Sequence, residues 1–399
     1  MTIASNVCRL FAGAAFAAAG AVALAQDVVK LGFNGDLSAS PSAQSGTAGV
    51  LGIQAAIDDI NAGGGVLGKK LVLVVRDDLS QPPKSIQNMN ELIDNEKVVA
   101  VLGPTNSGNA LAWRHIPNQK KVVSMQMIAT GTDITKPMGP DADNYVFRIT
   151  LTDREQVVGV MAYAKAAGAK KIGFLVETTG YGQGGLKDLQ EIGKLHGFDV
   201  VAVERMAVTD TDVTSQLNKM KAAGVDTLFV WAQGTPMGQV IRSMEKIGYF
   251  PRLLSSLAAD NITFYDAAGK TLAEKPIFMR TMVEPATPAQ KALFERVKGK
   301  LAAPSAFPFV VLGYDGVQVL AAAMRQAGTT TDGVKIREAL ESLKEPVVGV
   351  MKTYQQPFTR EGHEGLLAKD LVFVRWADGK LVRVNDSVAA SLTPADFKR

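Results

Sequence analysis

Gly180-Tyr181-Gly182-Gln183-Gly184-Gly185 has the residue types and spacing that come nearest to a known chemistry. It fits G-x-G-x-x-G between a strand pattern and a helical pattern, and Asp199 and Glu204 follow about where a ribose-binding acid would be wanted. On local grounds that is a nicotinamide-enzyme signature. Hydrolysis has less support: His115, His196 and His363 show no metal-ligand spacing, and no G-x-S-x-G elbow exists. Ser107 suggests anion binding. It lies four residues after Gly103, in the loop after a strand. If it begins a helix, free backbone N–H groups there favour an anion; the plain alternative is an N-cap serine. Asn106 and Gly108 flank it, and a glycine lets backbone approach a ligand closely. Tyr181 carries an aromatic ring with a polar tip, which suits a cleft wall.

These residues are carried by a chain that begins with a secretory leader. Arg9 gives a positive start, Leu10 to Leu24 is uncharged and apolar, and Ala23-Leu24-Ala25 is a small-x-small cleavage pattern before Gln26. The run is shorter than the roughly 20 residues of a membrane span, and no later segment is expected to be long and apolar enough. Everything after Ala25 is therefore expected to work outside the cytoplasm, with the leader cleaved near Ala25. Cys8, the only cysteine, lies in the leader, so the mature chain has no disulfide and no cysteine metal ligand. Lys and Arg total 43 against 39 acids, with both signs mixed along the chain. Nothing there marks a nucleic-acid binder.

Gln26 to Arg399 exceeds the roughly 250–300 residues at which one core splits, so two domains are expected. Val28–Phe33, Lys70–Val75, Val98–Leu102 and Lys121–Met125 read as strands, separated by helices at 47–61 and 84–96. The alternation restarts with strands at Lys171–Val176, Asp199–Glu204 and Thr227–Trp231 and helices at 185–196, 212–223 and 237–247. A mainly helical stretch, 288–343, follows, then a hairpin around Asp378-Gly379. Pro82-Pro83 reads as loop punctuation. The fold class is α/β, with two doubly wound parallel-sheet lobes. Ligands of such sheets sit at strand carboxyl ends, and two facing lobes place the site in the cleft between them.

Several segments in order carry a resemblance: Ala56 to Leu71, Asp77-Asp78, Val101-Leu102-Gly103-Pro104, Tyr145-Val146-Phe147-Arg148, Lys171-Ile172-Gly173-Phe174, Tyr181-Gly182, Lys221 to Asp226 and Met237-Gly238-Gln239. Together they resemble the periplasmic receptors for branched-chain amino acids and amides. The resemblance implies a type I periplasmic binding fold with three hinge strands. Lobe 1 would be 26–148 plus 281–352, and lobe 2 would be 149–280 plus 353–399, after the leader at 1–25. It also implies a monomer that closes on a small molecule and docks on an inner-membrane ABC permease, with no catalysis, cofactor or metal. Cytoplasmic sensors share this fold, but the leader argues against that reading, as it does against a nicotinamide enzyme.

By the resemblance, Ser107 and Thr130 bind the ligand carboxylate, Ile128 makes a backbone contact and Tyr181 faces the ligand from a loop. Arg148 would pair with a carboxylate near the first crossover. Three positions depart from the amino-acid receptors. Taking Asn261 as the family's asparagine puts Leu257 where an acid should hold the ligand ammonium, with Asp260 three residues away. A second-lobe aromatic position falls near Gln233, beside Trp231, and the first-lobe loop around Ser45 lacks its usual aromatic. The expectation is a carboxylate ligand without an α-amine, such as an aromatic acid, with Trp231, Phe33, Trp113 and Tyr181 as candidate walls. An aliphatic amino acid is the alternative.

Overall fold

The computed structural model describes residues 28–399. The expected leader, its cleavage near Ala25 and Cys8 lie outside the described residues.

Lobe 1 begins with β1 (Val28–Gly35), α1 (Ala43–Ala62), β2 (Lys70–Asp77), α2 (Pro82–Asn90), β3 (Ala100–Leu102), α3 (Ser107–Trp113), α4 (His115–Lys120), β4 (Val123–Gln126) and β5 (Val146–Arg148). Its sheet is parallel throughout, in the order β2-β1-β3-β4-β5. Helices cover both faces, so β1, β3 and β4 are buried along most of their length, the polar Ser124 and Gln126 of β4 included. Pro82 and Pro83 begin α2 rather than a loop, since the first helical turn needs no N–H from them.

Lobe 2 follows as α5 (Asp153–Ala166), β6 (Lys171–Glu177), α6 (Gly180–Leu195), β7 (Asp199–Met206), α7 (Thr214–Ala222), β8 (Thr227–Trp231), α8 (Gly234–Lys246), β9 (Arg252–Ser255), α9 (Ile262–Ala268), α10 (Lys270–Ala273) and β10 (Ile277–Arg280). The chain returns to lobe 1 with α11 (Pro288–Val297), α12 (Phe307–Ala327), α13 (Gly333–Glu341) and the hairpin β11 (Val347–Val348) and β12 (Thr353–Tyr354). It ends in lobe 2 with β13 (Val372–Ala377), β14 (Lys380–Arg383) and α14 (Ser387–Ser391). The second sheet runs β14-β13-β10-β9-β8-β6-β7, with β13 antiparallel to both its neighbours. Strand order reverses between β1 and β3 in one lobe and between β6 and β8 in the other. Those two reversal points are where side chains can converge on a ligand.

One sequence expectation fails here. Pro304–Ala327 is long and apolar enough to cross a membrane by length and composition, but 83% of its apolar window is buried inside the protein. Its apolarity serves packing on α1. A Cβ on Gly52 would lie 1.9 Å from the Val310 carbonyl oxygen, so the two backbones touch. This contact seats the first turn of α12, which carries Phe309, against lobe 1. Farther along α12, buried Asp315 accepts hydrogen bonds from the Val350 and Met351 amides and the Tyr354 hydroxyl, which fastens the β11–β12 hairpin.

The chain crosses between the lobes after β5, after β10 and between β12 and β13. Arg148 joins the first and third crossings. Its amide donates to the His363 carbonyl (2.9 Å), and its carbonyl accepts from the Gly365 amide (2.8 Å). Its side chain is fully buried and makes an ion pair with Glu364 (3.0 Å), the carboxylate expected at this crossover. The same guanidinium donates to the Ala129 (3.0 Å) and Gly131 (2.6 Å) carbonyls. Replacing it strands two carbonyls and a carboxylate, a loss of about 3 kcal/mol. Arg148→Met should therefore lower the free energy of unfolding by about that amount in urea titrations followed by circular dichroism.

Candidate functional site

The two reversal points face each other across one cavity. Lobe 1 lines it with Ser42 and Ser45 after β1, Thr105 to Ser107 after β3, and Ile128 to Thr130 after β4. Lobe 2 contributes Tyr181 after β6, Gln233 after β8, and Leu257, Ala258, Asp260 and Asn261 after β9. Phe309 arrives from α12. The space between these residues, including its opening to solvent, is about 470 Å³.

The lobes are closed around this space. On one rim Ser42 Oγ donates to Gln233 Oε1 (3.2 Å), and the Pro41 carbonyl accepts from Asn261 Nδ2 (3.0 Å) and Thr263 Oγ1 (3.2 Å). On the other rim Thr132 Oγ1 donates to Asp188 (2.6 Å), and Lys187 pairs with Asp133 (2.8 Å). The N-termini of α3 and α6 meet there: a Cβ on Gly180 would come within 2.9 Å of Gly108 Cα.

Ser107 is the first residue of α3, and Asn106, not Ser107, occupies the N-cap position. The Ser107 hydroxyl oxygen accepts from the Gly131 amide (3.0 Å), so its proton is free to serve a ligand. Thr130 differs from expectation. Its hydroxyl donates to Asp153 Oδ1 (2.8 Å), so toward the cavity it offers lone pairs, not a proton for a carboxylate. Asp153 is fully buried, and burial pushes its carboxyl up to about 7 despite the Thr130 bond. Asn106 lines the cavity, but its amide donates to Ser80 (2.7 Å) and Ser40 (3.5 Å) within lobe 1. Ser45 sits in the first turn of α1 rather than in a loop, and Ile128 contributes apolar wall.

In lobe 2, Tyr181 lies in the first turn of α6, not in a loop. Burial, with the Asp153 charge behind it, keeps its phenol protonated well beyond the ordinary range. The glycines around it are taken up by packing. A Cβ on Gly182 would meet the Glu177 carbonyl at 2.1 Å, and one on Gly185 the Trp231 ring at 2.1 Å. The glycine pattern thus has a structural cause that involves no phosphate. Gln233 places its amide and side-chain nitrogens on Glu177 (2.7 and 3.2 Å), which leaves its side-chain oxygen for Ser42.

Leu257 to Asp260 form one 3-10 turn. Residues three apart eclipse one another in that helix, so Asp260 lies on the same side as Leu257 and both line the cavity. Sequence distance had made Asp260 look displaced. Its carboxylate is 3% exposed and accepts no hydrogen bond among the described residues; Arg280 Nε stands 3.7 Å away. Burial raises this acid to about 7, with Arg280 opposing.

Three expected wall residues are not walls. Trp231 is fully buried behind Gly185 and beside Asp153, because β8 is central and both its faces are covered. Phe33 is fully buried in the lobe 1 core. Trp113 is buried and donates its indole N–H to Ser85 (3.0 Å). Sequence reasoning missed Ser42, Thr105, Ala129, Ala258 and Phe309. The first four adjoin or lie close to residues already singled out. Phe309 had one faint signal, an aromatic pair around Pro308 at the start of an apolar helix.

Residues 28–380 match a family model described as periplasmic binding protein. A Leu/Ile/Val-binding protein homolog from Brucella melitensis is 26% identical over 94% of this chain and 98% of its own. A type 1 periplasmic binding protein from Bordetella pertussis superposes with a TM-score of 0.79 at 24% identity, covering 90% of this chain and all of that one. A branched-chain amino acid transporter substrate-binding protein from Streptococcus pneumoniae, in complex with isoleucine, has a TM-score of 0.73 at 26% identity, covering 89% and 98%.

The buried acids make ligand-free stability fall with rising pH. Asp153 and Asp260 titrate near 7 in the folded protein, against about 3.9 for an aspartate in an unfolded chain, so the folded state holds more protons between those values. Stability therefore drops as pH rises through 7. His363, lowered by burial to about 4, works in the opposite sense below its ordinary value of about 6.5. Between about pH 5 and 7 the two acids outweigh this single histidine, and above about pH 7.5 both states are ionised and the dependence levels off. Thermal melts should show Tm falling from about pH 5 to about 7.5 and flat above, with a shallower slope in Asp260→Asn.

Proposed function

Because the chain belongs to the periplasmic binding protein family, we propose that it is the binding receptor of an ABC importer, closing on a small aliphatic α-amino acid without altering it. One observation carries the reading. A free hydroxyl donor on lobe 1 and a buried acid short of partners on lobe 2 share a single closed cavity. Ser107 takes the ligand carboxylate. Thr130 Oγ1 and Asp260 accept from its ammonium, which supplies the hydrogen-bond donor that the buried acid lacks. Ile128, Leu257 and Phe309 receive an apolar side chain. The ammonium partner has moved by one 3-10 turn instead of disappearing. The relative named for leucine, isoleucine and valine and the pneumococcal protein described with isoleucine support this ligand class.

The leader at 1–25, cleaved near Ala25, would deliver a monomer to the periplasm, where the closed lobes dock on the inner-membrane permease. A second reading keeps a carboxylate ligand without an amine, such as an aromatic acid. Arg280 favours it, since a guanidinium beside Asp260 can balance that charge with no ligand cation.

Calorimetric titration at several pH values separates the two. An amino acid needs Asp260 ionised, so leucine, isoleucine or valine should bind more tightly as pH rises from 6 through the Asp260 value of about 7, then level off. A carboxylate without an amine would be opposed by ionised Asp260 and should weaken over the same range. Binding of benzoate but none of the three amino acids would overturn the proposal. In Ser107→Ala the loss of a hydrogen bond to a charged group should weaken leucine binding by about 1.5–3 kcal/mol, roughly ten- to a hundredfold.

A further inference from the structure

Arg280 ends β10, where the chain leaves lobe 2 for lobe 1. It is 1% exposed. Its Nη2 donates to the Ser305 carbonyl (3.0 Å), and its Nε stands 3.7 Å from Asp260. Nε and Nη1 are buried and have no hydrogen-bond partner. This guanidinium therefore links a wall of the ligand cavity to a neighbouring segment. On one side is the cavity acid of lobe 2. On the other is Ser305, outside the cavity, in the Pro304–Ala306 turn that leads directly into α12 and the cavity residue Phe309.

We propose that Arg280 is a positioning residue for amino-acid recognition: it keeps Asp260 available as a charged acceptor in a buried site and ties that acceptor to the segment that delivers Phe309. The inference rests on the amino-acid reading above. A carboxylate so deeply buried, with no hydrogen bond, cannot stay ionised near neutral pH without a nearby cation. Arg280 is close enough to supply that charge, yet the 3.7 Å separation and missing hydrogen bond leave Asp260 uncommitted. A tight bidentate pair would satisfy the acid and remove its appetite for a ligand ammonium. Arg280 is thus near enough to favour ionisation and too loosely engaged to replace the ligand. The other titratable group facing Asp260 is Tyr181 on α6, with Asp153 on α5 and Glu177 at the end of β6 beyond it. None of these is a cation, so no second group can take over.

The test is the pH profile of leucine binding by the full-length mature protein, measured by calorimetry for wild type, Arg280→Met and Arg280→Lys. In Arg280→Met the midpoint of the pH-dependent rise should move up by a unit or more. Affinity at pH 7 should fall about tenfold or more, with partial recovery toward pH 9. A lysine keeps the charge but cannot reach both Asp260 and the Ser305 carbonyl, so Arg280→Lys should shift the midpoint upward by less. A merely structural role would weaken binding equally at every pH, and that outcome, or an unchanged profile, overturns the proposal. If Arg280→Met does not fold, Arg280→Lys decides alone, since an unmoved midpoint there is equally fatal. Failure of wild type to bind leucine would instead count against the amino-acid reading itself.

Discussion

The architecture depends on one buried guanidinium. Arg148 has no contact with water, so its protons must find acceptors inside the protein. Two Nη groups find them in the carbonyls on either side of Thr130, and Glu364 on the third crossing balances the charge as an ion pair. Its backbone meanwhile pairs with residues 363 and 365. The hinge and the ligand loop of lobe 1 are thereby one unit. The chain of support continues outward, because the Gly131 amide, held in place through its own carbonyl, donates to the Ser107 hydroxyl. A side chain that does not itself line the cavity thus orients the residue proposed to meet the ligand carboxylate.

The two halves of the cavity differ in completeness. In lobe 1 the polar groups are mostly engaged: Asn106 with Ser80, Thr105 with the Asp36 carbonyl, Thr130 with Asp153. That half is built before any ligand arrives. Lobe 2 brings an acid whose surroundings do not satisfy it. The rim contacts that close the cleft are modest hydrogen bonds and an exposed ion pair, worth little each. Closure on that basis is a population balance, and a ligand shifts it only by what it gains in the closed form beyond the open. The unsatisfied acid of lobe 2 is where such a gain is available.

Much of this was legible in the sequence because it is periodic and local. Alternating strand and helix patterns identified both sheets, and the order of short motifs placed Ser107, Ile128, Thr130, Tyr181, Gln233 and Leu257 close to strand ends, where they do line one cavity. Trp231 misled because an aromatic at a strand end reads the same whether it points to the cleft or the core. Only its central position in the sheet decides. The glycine-rich motif is ambiguous by itself for a related reason: helix packing and phosphate binding both require glycine, and spacing alone does not separate them.

The sequence by itself determined the alternation of elements, the restart that makes two lobes, and which loops carry hydrogen-bonding side chains, since each follows from hydrophobic period and residue chemistry within about twenty residues. Only the tertiary structure decided the rest. A single 3-10 turn, too short to leave a periodic signal, brought Asp260 to the side of Leu257. Helix-on-helix contact carried Phe309 to a cavity built by strands far away in the chain. Asp153, reached across the crossover, set the direction of the Thr130 hydroxyl proton. Each depends on which distant group lies within a few ångströms, and no local pattern encodes that distance.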